Sequence, residues 1–234
     1  SICNNQLVKL HPAFAELTLL KELSLSNNEL SELPVEVLAL TGLKRLAIDH
    51  NRLTMLPPEM GNMPLLRKLK LHSNDIQSPP REVVMQGTSV MLAYLKALCD
   101  GGKAEKLDLS NFGLLELPPE VCRLTALVSL TLNENQLRTI HRDISFLTNL
   151  RELRVSDNQL IALPQELEAC SSLVRLEARN NQLNSVPCEI ASMAGLRALE
   201  LVGNPINSPP ENVVLAGVDA MIEYLTQIYK IRDT

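Results

Sequence analysis

Residues 150–167 read Leu150-Arg151-Glu152-Leu153-Arg154-Val155-Ser156-Asp157-Asn158-Gln159-Leu160-Ile161-Ala162-Leu163-Pro164-Gln165-Glu166-Leu167, and the apolar frame they set recurs along the chain. Leu43, Leu46, Ile48, Asn51, Leu53, Leu56, Pro57 and Met60 repeat it. Its asparagine falls every 23 residues at Asn5, Asn28, Asn51 and Asn74, and again at Asn135, Asn158, Asn181 and Asn204. A fixed period of this length specifies a solenoid, in which each unit buries its apolar edge only by stacking on its neighbours. Such a molecule presents an extended surface rather than a deep catalytic pocket.

The spacing carries the local physics. Apolar residues at repeat positions 4 and 6 alternate as in a strand with one buried face. The Asn at position 9 turns the chain inward, and its amide can pair with backbone groups that stacking would otherwise bury without partners. Leu33-Pro34, Leu56-Pro57, Leu117-Pro118 and Leu163-Pro164 each open a loose or short helical return segment. Leu10-His11 and Ile140-His141 depart from that dipeptide, so proline is helpful there rather than obligatory. The frame resembles the leucine-rich repeat in its 23-residue L-x-x-L-x-L-x-x-N-x-L-x-x-L-P form. The resemblance implies an α/β solenoid of horseshoe shape, with about nine parallel strands on the concave face and loops and short helical turns on the convex side. Strands about 4.8 Å apart give a slab about 40 Å long.

The period breaks once. From Asn74 to the equivalent Phe112 the chain runs 15 residues longer than one repeat. The extra stretch, Ile76-Gln77-Ser78-Pro79-Pro80 through Gly87-Thr88 to Met91–Leu98, returns 130 residues later as Ile206-Asn207-Ser208-Pro209-Pro210, Gly217 and Met221–Leu225. The chain therefore divides into halves, 1–100 and 101–234, each a run of repeats closed by a helix. The spacing places an inserted helix at about 88–99, with Thr88 or Ser89 as N-cap and Gly101-Gly102 as its end. A second helix at about 219–231 covers the last repeat, with Asp219 as cap because Val218 stands in place of Thr88. The recurring frame predicts one continuous sheet. A kink near residue 100 is the alternative, and it draws on Phe112 in the ladder position and on Lys103-Ala104-Glu105 where leucine is expected.

Composition narrows the function. A net charge of −5 argues against general nucleic-acid or anionic-membrane binding. No apolar run approaches the roughly 20 residues of a transmembrane helix. The start, Ser1-Ile2-Cys3-Asn4-Asn5, lacks the basic and apolar regions of a signal peptide and falls in mid-repeat, which implies a longer parent chain. The five cysteines, Cys3, Cys99, Cys122, Cys170 and Cys188, are odd in number and scattered, and no Asn lies in a glycosylation site. Both features favour a reducing, cytoplasmic location.

Side chains at repeat positions 3, 5, 7 and 8 point out of the strand face, and the expected partner-binding residues come from these positions. Arg45, His50, Lys68, Lys70 and His72, with Asp49 among them and Arg67 and Lys106 nearby, form a mainly basic zone. Asp108 and Asn133 lead to a mixed zone of Glu134, Glu152, Asp157, Glu177 and Glu200 threaded by Arg154, Arg175 and Arg179. Opposite charges on neighbouring strands, Glu22 with Arg45, Lys70 with Asp108, Glu152 with Arg175 and Arg154 with Glu177, would keep the face soluble at a few tenths of a kcal/mol each. They would equally match a partner's charged surface. Ser26, Asp49 and His72 occupy one position on three successive repeats, but Asp49 lies between the other two, so the base does not reach the nucleophile. Asp49, His50 and His72 match no familiar metal-ligand spacing. Accordingly no catalytic residue, metal or cofactor is assigned.

The Leu-Pro repeats resemble those of the intracellular Ras-group of leucine-rich repeat proteins, the Scribble, Shoc and Ras-suppressor type. The duplicated Ser-Pro-Pro…Gly-Thr…Tyr-Leu segment is similar to terminal segments in a subset of cytosolic members. The resemblance implies a non-catalytic scaffold in signalling that holds a small GTPase, phosphatase or kinase on its concave face. The alternative is the recognition arm of a larger enzyme, such as a ubiquitin ligase or kinase. A sensor for an anionic ligand, including nucleic acid, is a third reading that rests on the basic zone alone.

Overall fold

The computed structural model describes residues 1–232. They fall into two compact units, Ser1–Cys99 and the residues from Asp100 onward. The first contains β1 (Glu22–Ser24), α1 (Val35–Leu38), β2 (Arg45–Ala47), β3 (Lys68–Lys70), α2 (Arg81–Met85) and the start of α3 (Thr88–Ala104). The second contains the end of α3, then β4 (Lys106–Asp108), α4 (Pro119–Cys122), β5 (Ser129–Thr131), β6 (Glu152–Arg154), β7 (Arg175–Glu177), β8 (Ala198–Glu200), α5 (Glu211–Leu215) and α6 (Val218–Arg232).

Every strand pair is parallel and in repeat register, so Glu22, Arg45 and Lys68 lie side by side, as do Glu152, Arg175 and Ala198. Among the described residues eight strands form, and Ile2–Asn5 adds a further rung, its Ile2, Asn4 and Asn5 amides donating to the carbonyls of Ser24, Ser26 and Asn27. The expected continuous ladder is instead divided into a three-stranded sheet, β1-β2-β3, and a five-stranded sheet, β4 to β8. The reason is local. The extra residues coil into α2 and α3, and the Thr88 hydroxyl accepts the Leu69 N–H at 3.1 Å, a donor that a following strand would otherwise take.

Inside each unit the position-4 and position-6 leucines stack into a dry core, with Leu46, Ile48, Leu130, Leu132, Leu153 and Val155 at most 1% exposed. The ladder asparagines sit at its margin. Asn158 donates from Nδ2 to the carbonyls of Leu132, Val155 and Ser156 at 3.0–3.1 Å, and its Oδ1 accepts the Leu137 N–H at 3.0 Å. One side chain thus satisfies backbone groups of two adjacent coils, each of which would cost about 1–3 kcal/mol if left buried and unpaired.

The return segments are short helical turns entered through the expected prolines Pro34, Pro57, Pro118 and Pro164, and in the same way through Pro187. Where proline is missing, histidine replaces it by another route. His11 Nδ1 accepts from Ala13 N–H at 3.2 Å, and His141 Nδ1 accepts from Asp143 N–H at 3.3 Å, each capping its turn with a side chain.

Three helix boundaries differ from expectation. Gly87 (φ 98°) precedes α3 and its carbonyl accepts from Met91, so Thr88 is the first helical residue rather than the cap. Gly217 (φ 99°) plays the same part before α6, in place of Asp219. Gly101-Gly102 does not end α3, which continues to Ala104 and breaks at Glu105 (φ 59°). Gly101 is small for another reason: a Cβ there would stand 2.9 Å from Leu107 Cδ1, so the glycine lets the helix lie directly on β4. The second helix, α6, packs on α5 and on the 3-10 turn Cys188–Ser192.

Candidate partner-binding surfaces

Each strand ends at position 5, and three residues later position 8 turns the chain with a left-handed residue every time. Asn27, His50, Ser73, Asn111, Glu134, Asp157 and Asn180 have φ between 51° and 61°, and Gly203 has 81°. Asn, Asp, His and Gly are the residues that enter this region most readily, so backbone geometry as well as any partner shapes the choice at position 8. The sequence carries that signal as a run of Asn, Asp, His and Gly in one column, and a reading of position 8 as free surface overlooks it.

On the first unit, a groove of about 560 Å³ runs over β1–β3, lined by Glu22, Ser24, Arg45, Ala47, Lys68 and Lys70 among others. Arg45 pairs with Glu22 across the strands, as expected. Lys68 and Lys70 are exposed on β3 and enter no ion pair among the described residues. Arg67 turns back to donate to the carbonyls of Pro64 and Leu66, both at 3.1 Å, and leaves the zone. Lys106 lies on β4, in the other sheet, so it does not extend this one. The expected Lys70–Asp108 pairing fails for the same reason, and Asp108 instead accepts from the Ser110 N–H and hydroxyl at 2.9 and 2.7 Å.

Beside the groove, Asp49, His50 and His72 converge. Ser26 donates to Asp49 Oδ1 at 2.8 Å, while Asp49 Oδ2 lies 3.2 Å from His50 Nδ1 and 3.6 Å from His72 Nε2. The imidazole centroids are 5.0 Å apart and the rings meet edge to face. Burial pushes the Asp49 carboxyl upward, but the hydrogen bonds from Ser26 and His50 and the charge of His72 outweigh it, leaving the group below the usual carboxylate range. Asp49 separates Ser26 from His72, so the three residues do not form a nucleophile–base pair. A hydrogen-bonded file continues from Ser26 to Ser24 (3.2 Å), Cys3 (2.8 Å) and Ser1 (2.9 Å), and hydrogen bonds from Ser1 and Ser24 lower the Cys3 thiol below its ordinary value.

On the second unit the mixed zone closes on itself. Arg154 reaches Glu152 (2.9 Å) and Glu177 (3.2 Å), Arg175 reaches Glu177 and Glu200 (both 3.3 Å), and Arg179 also pairs with Glu200. Three arginines and three glutamates thus form one zigzag across β6–β8. The expected Arg154–Glu177 pair is present. Arg175 turns toward β8 instead of Glu152, because Glu177 and Glu200 together offer it two carboxylates and Arg154 already engages Glu152. Asp157 accepts from Asn180 Nδ2 at 2.8 Å, and Asn133 Oδ1 accepts from the Ser156 N–H at 2.8 Å, so both are committed to neighbours. Glu134 is exposed.

A family model described as leucine rich repeat matches residues 1–53 and 103–160, one segment in each unit. No curated protein sequence matches the chain. Among solved structures, a leucine-rich repeat protein of Leptospira interrogans is 28% identical over 91% of this chain and 62% of its own, with a TM-score of 0.41. Internalin C2 of Listeria monocytogenes is 22% identical over 84% of this chain and 77% of its own (TM-score 0.43). The plant peptide hormone receptor RGFR1, in complex with RGF2, is 24% identical over 87% of this chain and 32% of its own (TM-score 0.44). The chain thus spans less than two thirds of the length of the Leptospira protein. Its fold is that of an α/β solenoid built from leucine-rich repeats. Such repeats generally act as protein-interaction modules and are typically non-enzymatic. No helix among the described residues is long and apolar enough to cross a membrane.

Proposed function

We propose that this chain is a non-catalytic recognition module that takes an acidic segment of a protein partner on the strand face of its first unit. The observation that carries the reading is the pair Lys68 and Lys70, exposed on an edge strand beside Arg45, without ion pairs of their own among the described residues, and lining a groove of about 560 Å³. On a chain of net charge −5, a local excess of positive charge is a docking determinant rather than a general property of the surface. Asp49 and His50 follow β2 and His72 follows β3, just beyond Ala47 and Lys70 of the groove. The second face, with Asp108, Asn133, Glu134, Glu152, Arg154, Asp157, Arg175, Glu177, Arg179 and Glu200, gives further contacts whose charges are largely balanced before a partner arrives.

The 23-residue Leu-Pro repeats and the duplicated Ser-Pro-Pro segment favour a cytoplasmic signalling scaffold of the Ras-group type, with a small GTPase, phosphatase or kinase as partner. The odd number and scattered placement of the cysteines agree with a reducing compartment. The test is capture from cell lysate on the parent chain, on Lys68→Glu/Lys70→Glu and on Arg154→Glu/Arg175→Glu, all matched for melting temperature. The first variant should lose the captured proteins and the second should weaken capture less. Equal capture by all three would place the binding surface off the strand faces and overturn the reading.

A further inference from the structure

We propose that Asp49, His50 and His72 form a binding site for a divalent transition metal, zinc or one of its neighbours. Asp49 and His72 are one repeat apart and His50 follows Asp49, so parallel register brings all three donors to one point. Their ligand atoms, one per residue, lie within 4.8 Å of one another. Asp49 Oδ2 is 3.2 Å from His50 Nδ1 and 3.6 Å from His72 Nε2. Zinc bonds of about 2.0–2.1 Å in tetrahedral geometry set neighbouring donors about 3.3 Å apart. The two measured edges bracket that value, so an ion can replace the hydrogen bonds with small side-chain rotations.

The outer partners are also in place. Ser26, itself buried, holds Asp49 Oδ1 at 2.8 Å and leaves Oδ2 for the metal. The Ser73 hydroxyl lies 3.4 Å from His72 Nδ1, leaving Nε2 directed at Asp49. Such second partners fix ligand orientation and commonly change metal affinity by about 10–100-fold. Two imidazoles with one carboxylate select zinc and its neighbours over calcium or magnesium, which prefer oxygen alone. The side chains of His50 and His72 are 50% and 64% exposed, so the site opens to solvent and leaves a coordination position for water or a partner's ligand.

The experiment is calorimetric titration of tag-free protein with Zn²⁺, with Co²⁺ visible absorption as the spectroscopic readout. One equivalent should bind with micromolar or tighter affinity and raise the melting temperature. His72→Ala should weaken binding at least tenfold and abolish the tetrahedral Co²⁺ band, and Ser26→Ala should weaken binding about tenfold. Cys3→Ser and His141→Ala should bind like the parent. His72 is largely exposed, so its removal leaves the core intact and makes that variant decisive. No binding at 1 mM Zn²⁺, or His72→Ala binding as tightly as the parent, would overturn the proposal.

Discussion

The two Ser-Pro-Pro modules are built alike and finished differently. Ser78–Pro79 and Ser208–Pro209 are both cis, and Met55↔Ser78 and Ser185↔Ser208 form the same parallel bridge. Gly87 and Gly217 lead into the helices at φ 98° and 99°, and Met91, Leu95, Met221 and Leu225 are buried. Yet Tyr94 is fully buried and its counterpart Tyr224 only half so. At Gly61 a Cβ would stand 2.2 Å from the Lys96 backbone nitrogen, so α3 rests directly on the turn Pro58–Asn62. Ala191 occupies the matching place before α6, which packs on its own turn, Cys188–Ser192, over a methyl that Gly61 lacks. Thr88 takes the Leu69 N–H, whereas Val218 has no hydroxyl to offer. Glycine for alanine at one turn and threonine for valine at one helix start thus distinguish two copies of a single template.

The comparison is most directly broken at Gly61. Gly61→Ala should lower stability by about 1–3 kcal/mol, since the obstructing atoms are helix backbone, while Ala191→Gly should change it by no more than about 1 kcal/mol. Denaturant midpoints at constant m-value decide, and equal effects would mean the two helices sit alike.

The ladder asparagines should behave identically in both modules. Asn74 donates to the Ile48 and Leu71 carbonyls at 2.9 Å, with a longer 3.5 Å contact to that of His72, Asn204 donates to those of Ala178 and Leu201 at 2.8 Å, and each accepts one N–H at 3.0 Å. Asn74→Ala and Asn204→Ala should each cost about 1–3 kcal/mol, and the more buried Asn158→Ala at least as much, with no loss of partner affinity beyond that explained by unfolding. Lower affinity at an unchanged melting temperature would assign these residues to the binding surface instead.

Exchanging the helix-start residues is a finer probe. Thr88→Val should cost about 1 kcal/mol by orphaning the Leu69 N–H, and Val218→Thr should stay within about 0.5 kcal/mol of the parent. A gain of 1 kcal/mol from Val218→Thr would show that the last strand carries the same unmet donor. Smallest of all, Arg154→Met should shift stability by less than about 1 kcal/mol, because its partners are partly exposed and screened. Thermal melts in low and high salt would expose a larger role for the zigzag.

Much of this was legible in the residues. The period placed Leu153, Val155 and Asn158 on the buried side and predicted the Glu22–Arg45 and Arg154–Glu177 pairs, because register in a parallel solenoid follows from counting. Counting also put Ser26, Asp49 and His72 side by side. It could not tell that His50, through its left-handed turn, would bring a second imidazole back to Asp49 Oδ2, and so the three ligands matched no linear spacing. Nor could it tell that Arg67 folds onto its own backbone or that Asp108 caps its own turn.

By itself the sequence determined the repeat, the inward and outward faces, the asparagine ladder and the duplicated helical module. These depend on contacts at fixed multiples of one period, where local preference and stacking agree. Only the tertiary structure decided that the ladder divides after β3, that Gly101 serves packing rather than termination, and that Asp49, His50 and His72 meet at bonding distances. Those outcomes turn on a single hydroxyl, an absent Cβ or one positive φ, and the separations that decide them are set by packing between segments rather than by spacing along the chain.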